Sequence, residues 1–208
     1  MRLQTKNEEH LNAATHALGA LLGVAGLILL LIYQDDKTPY SLFAILVYGI
    51  SIIVLFSASA LYHSVQSDTR KHFFRILDHI SIYLLIAGTY TPVLLITLLH
   101  SKGWTLFWVV WGIALFGIVK KIFFTGRFEI FSTLLYLAMG WLIVFDFNNL
   151  TQLMPSNGIV FLMVGGLAYT VGIVFYVIER IPYNHVIWHL FVLAGAIFHF
   201  LMVFFYVI

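Results

Sequence analysis

Long apolar segments separated by short polar joints dominate the chain. Each segment has close to the 20 residues that an α-helix needs to cross about 30 Å of hydrocarbon, so the pattern predicts seven transmembrane helices. The fifth is the shortest, because Glu129 and Asp146 confine it. No joint is long enough to separate domains, and we expect residues 1–208 to form a single all-α seven-helix transmembrane domain. The predicted segments are Leu11 to Tyr33, Tyr40 to His63, Phe74 to Leu99, Trp104 to Phe124, Ile130 to Phe147, Gly158 to Val177 and His185 to Ile208.

The composition excludes several classes of protein. With 62% hydrophobic and 10% charged residues, the chain cannot supply the charged outer faces of a soluble helical bundle. A formal charge of +2 with no nucleic-acid-binding motif predicts no nucleic-acid partner. The chain has no cysteine, so a transition metal would have to be bound by histidine and carboxylate. The first apolar run is of full spanning length, which predicts a retained anchor and not a cleaved signal peptide.

The basic residues predict the orientation. Most of them fall in joints on one side of the predicted membrane, and only Lys37 and Lys102 fall on the other. By the positive-inside rule we expect a cytoplasmic amino terminus and a carboxyl terminus outside. The residues on the cytoplasmic side are Arg2, Lys6, Arg70, Lys71, Arg75, Lys120, Lys121, Arg127 and Arg180.

With this orientation, five ionisable residues from four helices share one depth near the cytoplasmic face. They are His16, His63, Asp78, His185 and His189. Neighbouring helices alternate in direction, so nothing in the order of the chain requires this coincidence. Ionisable residues inside a membrane span are costly and usually functional, so we expect a single site at this level.

The chemistry of these residues favours a metal. His185 and His189 lie one helical turn apart, stacked about 6 Å along one face, from which two imidazoles can bind one ion. Three neutral imidazoles leave a divalent charge uncancelled, so a nearby carboxylate is expected. We therefore predict zinc bound by His63, His185 and His189, with Asp78 and Ser59 as catalytic residues. Ser59 lies one turn before His63, although a serine in a span more often bonds to its own helix.

Other polar residues are candidates to surround and support the metal ligands. Glu9, Asn12 and His16 form one polar stripe, and a capped helix entering the headgroup region is the equally weighted alternative for Glu9 and Asn12. His79 points about 100° away from Asp78 and is a further candidate.

Three kinds of residue are predicted to lie outside the site. His199 lies about 21 Å beyond His185 along the helix axis, which predicts a buried hydrogen-bonding histidine. His72 and His100 are expected in loops. Trp104 and Trp188 are expected to be interfacial anchors, as are Tyr33 and Tyr40.

Four motifs in the same order carry a resemblance to a known family. They are EExxNxxTH in the first segment, SxxxH in SASALYHS, the run LDHxxIYxLIAGTYTP, and HxxxH in the last segment. Over essentially its whole length the chain closely resembles the bacterial hemolysin III branch of the progestin and adipoQ receptor family, which is similar in architecture to alkaline ceramidases. The resemblance implies zinc on His63, His185 and His189, with Asp78 reaching the ion through water and Ser59 beside it. It also implies a multi-pass protein of the bacterial inner membrane that acts in lipid and fluidity homeostasis.

Several functions follow as hypotheses. The site geometry favours a zinc-dependent hydrolase of lipid amide or ester bonds, with membrane lipids as partners. A zinc ion that only fastens helices together would look the same in sequence. A pore-forming cytolysin needs polar stripes along whole spans, and here the polarity is confined to one end. A haem-binding electron carrier with paired histidines is a third class. Self-association into a homo-oligomer is left open.

Overall fold

The computed structural model describes residues 4–208, and these residues form helices and turns without a β-strand. Seven spans are long and apolar enough to cross a membrane, which confirms the predicted number. Two π-helical turns, Val93–Thr97 and Val203–Val207, extend the third and the last helix. The helices are α1 Lys6–Tyr33, α2 Ser41–Ser64, α3 Asp68–Pro92, α4 Gly103–Phe124, α5 Glu129–Gly140, α6 Phe147–Leu153, α7 Ser156–Val177 and α8 Asn184–Met202.

Two helices begin at least five residues earlier than their apolar runs. α1 starts at Lys6 because Thr5 and Glu8 form a capping box, in which each side chain accepts a hydrogen bond from the other's backbone N–H. α3 starts at Asp68, so the prediction of a loop at His72 is wrong, and His72 lies on an exposed face of that helix. Hydropathy marks only the part of a helix in hydrocarbon, whereas the helix itself continues into the polar region. Arg2 lies outside the described residues.

The fifth span, Glu129–Leu153, is interrupted in the middle. α5 ends at Gly140, a 3₁₀ turn follows over Leu142–Asp146, and α6 completes the crossing. The Tyr90 hydroxyl donates to the Gly140 carbonyl at 2.9 Å and accepts from the Ile143 N–H at 3.0 Å. Because lipid cannot satisfy freed backbone groups, this side chain makes the break tolerable.

Small residues bring the helices of the site together. Gly23 on α1 lies against Ile52 of α2, and a Cβ at Gly23 would come within 2.8 Å of the isoleucine side chain. Gly172 on α7 faces Phe191 of α8 equally closely. Such contacts let helix backbones approach closely in a membrane. α1 packs between α2 and α8, so the carboxyl end of α2 meets the amino ends of α1 and α8.

We call this end of the bundle the basic end, because it contains Lys6, Lys71, Arg127 and Arg180. It is the end predicted to face the cytoplasm, and that orientation stays a prediction. On the outer surface, large apolar side chains such as Phe123, 73% exposed, and Ile130, 76% exposed, point away from the bundle. A surface of this kind suits lipid and not water.

Candidate metal centre

Three histidines converge at the basic end. His63, from the last turn of α2, meets His185 and His189, from the first two turns of α8. One ring nitrogen of each lies within 4.8 Å of those of the other two, a separation that one ion can bridge after small rotations of the rings. The predicted triad is therefore brought together by helices far apart in the chain.

The ring nitrogens of this triad are available to a metal. His63 Nε2 and His189 Nδ1 are buried and have no hydrogen-bond partner. An unpaired buried polar atom costs about 1–3 kcal/mol, and coordination to a metal would remove that cost. With no cysteine nearby, three imidazoles suit zinc, which binds histidine nitrogen and leaves a fourth position open at catalytic sites. The residues present therefore fit a zinc ion.

A carboxylate and a lysine support His63. Glu9 Oε2 lies 2.5 Å from His63 Nδ1, and Lys71 Nζ donates to the other oxygen of Glu9 at 2.7 Å. Metal-binding histidines commonly hold a carboxylate on the second ring nitrogen, which fixes the orientation and tautomer of the ring. Glu9 therefore lies at the site, as the polar stripe of α1 predicts, and it contacts a triad ring directly.

His16 lies at the site without joining the triad. Its ring stacks on that of His189, with centroids 3.6 Å apart, and meets the edge of Phe56. Both of its ring nitrogens are buried and unpartnered. Asn12, one turn earlier, is fully buried and donates to Gln4 at 2.5 Å. These residues line the α1 side of the triad.

Asp78 and His79 both border the cavity that contains the triad, but their contacts differ. The His79 ring is held by the Arg75 carbonyl at 2.7 Å, and its other nitrogen lies 3.9 Å from Glu129. His79 therefore belongs mainly to a second polar cluster, formed by α3, α4 and α5.

Ser59 differs from three other serines of the spans. The hydroxyls of Ser51, Ser64 and Ser81 each donate to a carbonyl of their own helix, the common arrangement in a span. The Ser59 hydroxyl is buried, borders the cavity and has no partner. It is therefore free to contact a bound molecule.

A cavity of about 220 Å³ connects these residues, and all five residues predicted to share one depth border it. Sequence reasoning missed Lys71 and Arg75 as part of the site, because it treated them only as orientation signals. Their spacing contains the missing information: Lys71, Arg75, Asp78 and Ile82 recur at intervals of four, three and four residues on one face of α3, and all four border the cavity. Trp188, predicted to be an interfacial anchor, also borders this cavity.

Comparison with known proteins identifies the family. The model of the family described as haemolysin-III related matches residues 4–200. The chain belongs to this family. Hemolysin-3 of Bacillus cereus is 46% identical over 206 residues, which cover 99% of this chain and 94% of that relative. The Hemolysin-3 homolog of Bacillus subtilis is 42% identical, over 97% and 95% of the two chains. The human Monocyte to macrophage differentiation factor is 30% identical, over 93% and 82%.

Family membership confirms the resemblance carried by the four motifs. Together with the seven apolar helices it confirms a multi-pass integral membrane protein, in agreement with a bacterial inner membrane. The match spans nearly the whole chain and includes every residue of the triad.

Proposed function

We propose that this haemolysin-III family protein is a zinc-dependent hydrolase that cleaves amide or ester bonds of membrane lipids and acts in lipid and fluidity homeostasis. The observation that carries the proposal is the triad of imidazoles with unpartnered ring nitrogens, placed in a cavity at one end of the bundle. A site that only fastened helices would have no need of an adjoining cavity.

The shape of the interior supports a lipid substrate. A second cavity of about 120 Å³ begins where the first ends, and its walls are mainly apolar. The two share Leu55, Ile82, Tyr176, Trp188 and Val192. A molecule with a polar carbonyl group at the triad could therefore extend an apolar chain into the middle of the bundle.

The side chains around the triad have distinct roles in this proposal. A zinc ion held by His63, His185 and His189 would supply a Lewis acid that polarises a substrate carbonyl. Glu9 holds the His63 ring in position, and Lys71 holds Glu9. The Asp78 carboxylate accepts the proton of the attacking water, and the Ser59 hydroxyl donates to the oxygen on which negative charge develops.

Two rival functions predict a different interior of the helix bundle. A lytic pore, the class indicated by the name Hemolysin that two relatives carry, needs a polar path through the bundle. The largely apolar walls of the second cavity favour a lipid chain over a water-filled path. A purely structural zinc would leave the free Ser59 hydroxyl and the cavity unexplained.

Metal content and turnover of the purified protein test the proposal. We expect about one zinc per chain and hydrolysis of at least one lipid in a panel of ceramides and acyl lipids. His189→Ala removes a ligand, so both zinc and turnover should be lost. His72→Ala, which removes an exposed histidine of α3, is the matched control and should keep both.

Two results would contradict the hydrolase. Zinc retained with no turnover on any lipid of the panel would favour a structural ion. Ion leakage from liposomes that contain only this protein would favour a pore.

A further inference from the structure

The apolar interior continues past the second cavity to His199. A third, smaller cavity of about 50 Å³ lies beyond the second, and both are bordered by His199, Thr89 and Trp141. His199 follows His189 by ten residues on the continuous helix α8, which places it about 15 Å further along the axis. The three cavities thus form a succession from the triad to His199.

Four of the polar groups that border these cavities with His199 use their donors within the protein. The hydroxyls of Thr89 and Thr170 each donate to the carbonyl four residues earlier, at 2.8 Å. The Trp141 indole N–H donates to Thr170, and the Tyr90 hydroxyl donates to the Gly140 carbonyl. To a molecule in these cavities, this part of the wall therefore offers little hydrogen bonding.

His199 is the exception. Its Nε2 lies 3.2 Å from the Leu162 carbonyl, which can only accept, so Nε2 carries the hydrogen. In a neutral imidazole the other nitrogen is then an acceptor. This nitrogen, Nδ1, is buried without a partner, alone among the described side chains that border the second and third cavities. A buried polar atom without a hydrogen-bond partner is rare in a folded protein and requires an explanation.

We propose that these distal cavities bind a lipid chain that carries a hydroxyl group, which donates a hydrogen bond to Nδ1 of His199. A hydroxyl is a donor without charge, and its apolar chain suits the surrounding walls. A trapped water would need two to four polar partners, and the donors of Thr89, Trp141 and Thr170 are already used. The distance of about 15 Å from the triad places the hydroxyl in the outer part of a long chain.

This inference rests on the proposed function only for the direction of the lipid, with its head at the triad. The expected substrates are lipids whose acyl chain is hydroxylated far from the amide or ester bond. The fatty acid released by hydrolysis would carry the same hydroxyl, so its binding can be measured without turnover.

Binding of stearate and of hydroxystearate isomers to the purified protein in detergent, by displacement of a fluorescent fatty acid, tests the proposal. We expect an isomer with the hydroxyl in the outer half of the chain to bind about two- to tenfold more tightly than stearate, the gain of one hydrogen bond. An isomer with the hydroxyl next to the carboxylate should show no gain. Equal affinity for stearate and all isomers would overturn the proposal.

Variants test whether His199 is responsible for the preference for a hydroxylated chain. His199→Phe keeps an aromatic ring and removes the acceptor, so the preference should disappear while stearate still binds. Thr89→Val, which changes a hydroxyl already bonded to its own helix, should keep the preference. A preference that persists in His199→Phe would overturn the assignment to Nδ1. If that variant does not fold, the isomer series on the wild-type protein still decides.

The two proposals can fail separately. A protein that prefers the outer hydroxyl but hydrolyses no lipid would refute the hydrolase and support the chain site. A protein that hydrolyses lipids but binds all isomers equally would refute the chain site alone.

Discussion

Two polar clusters lie side by side at the basic end, and they differ in how their groups are satisfied. In the Glu129 cluster, Lys121 is almost fully buried and its Nζ lies 2.5 Å from Glu129, which also accepts from the Gly126 N–H. In the histidine cluster, His16, His63 and His189 each bury at least one ring nitrogen without a partner. Buried polar groups that are paired hold helices together, whereas unpaired ones indicate a missing ligand.

Breaking the ion pair of the Glu129 cluster should have the largest effect on stability. Lys121→Met leaves Glu129 without its closest counter-charge, and we expect a loss of about 3 kcal/mol in the free energy of unfolding. The loss falls at the low end for a buried pair because the Glu129 side chain is 24% exposed and lies 3.9 Å from Arg75. Unfolding of the purified protein in detergent measures this change.

The double variant Lys121→Met with Glu129→Leu provides the control. Removing both charges should recover much of the lost stability, because no unpaired charge remains. Zinc content should stay at the wild-type level in both variants. Loss of zinc in Lys121→Met, in protein that is still folded, would mean that the two clusters are not independent.

Removing the carboxylate that supports the histidine cluster should lower the affinity for zinc. Glu9→Gln removes the carboxylate from His63 Nδ1, and we expect zinc to bind about 10- to 100-fold more weakly. Zinc titration against a competing chelator measures the affinity. Lys71→Met should weaken binding less, and its effect should not add to that of Glu9→Gln, because Lys71 acts through Glu9.

Asp68→Asn is the matched control for Glu9→Gln, since it makes the same chemical change at an exposed position. It should leave zinc affinity unchanged. Wild-type affinity in Glu9→Gln would show that the carboxylate does not support a bound metal.

The smallest effect on stability is expected at Ser59. Because its hydroxyl has no partner, Ser59→Ala should change the free energy of unfolding by less than about 0.5 kcal/mol. Ser51→Ala removes a hydroxyl that donates to the Tyr48 carbonyl at 2.7 Å, so it should cost about 1 kcal/mol. Thermal unfolding compares the two variants, and lipid turnover should fall in Ser59→Ala alone. Equal destabilisation by the two variants would contradict the proposal that the Ser59 hydroxyl contacts a ligand.

Several features of the site could be predicted because they depend on position along the chain. His185 and His189 share a helix face through their spacing, and His63 reaches their level because successive spans alternate in direction. The contact of Lys71 with Glu9 joins residues 62 positions apart, so no local pattern contains it. The break at Gly140 depends on Tyr90 from another helix, which explains why the fifth segment was predicted without it.

The sequence by itself determined the seven spans, the family and the set of four imidazoles and one carboxylate expected at one depth. These follow from hydrophobic length, motif order and alternating direction. Only the tertiary structure decided how each helix is rotated about its axis. That rotation stacks His16 on His189, pairs Glu9 with His63 and places Trp188 between two cavities. The physical reason is that a span apolar on nearly every side contains little local information about which face is buried, so close packing against its neighbours decides.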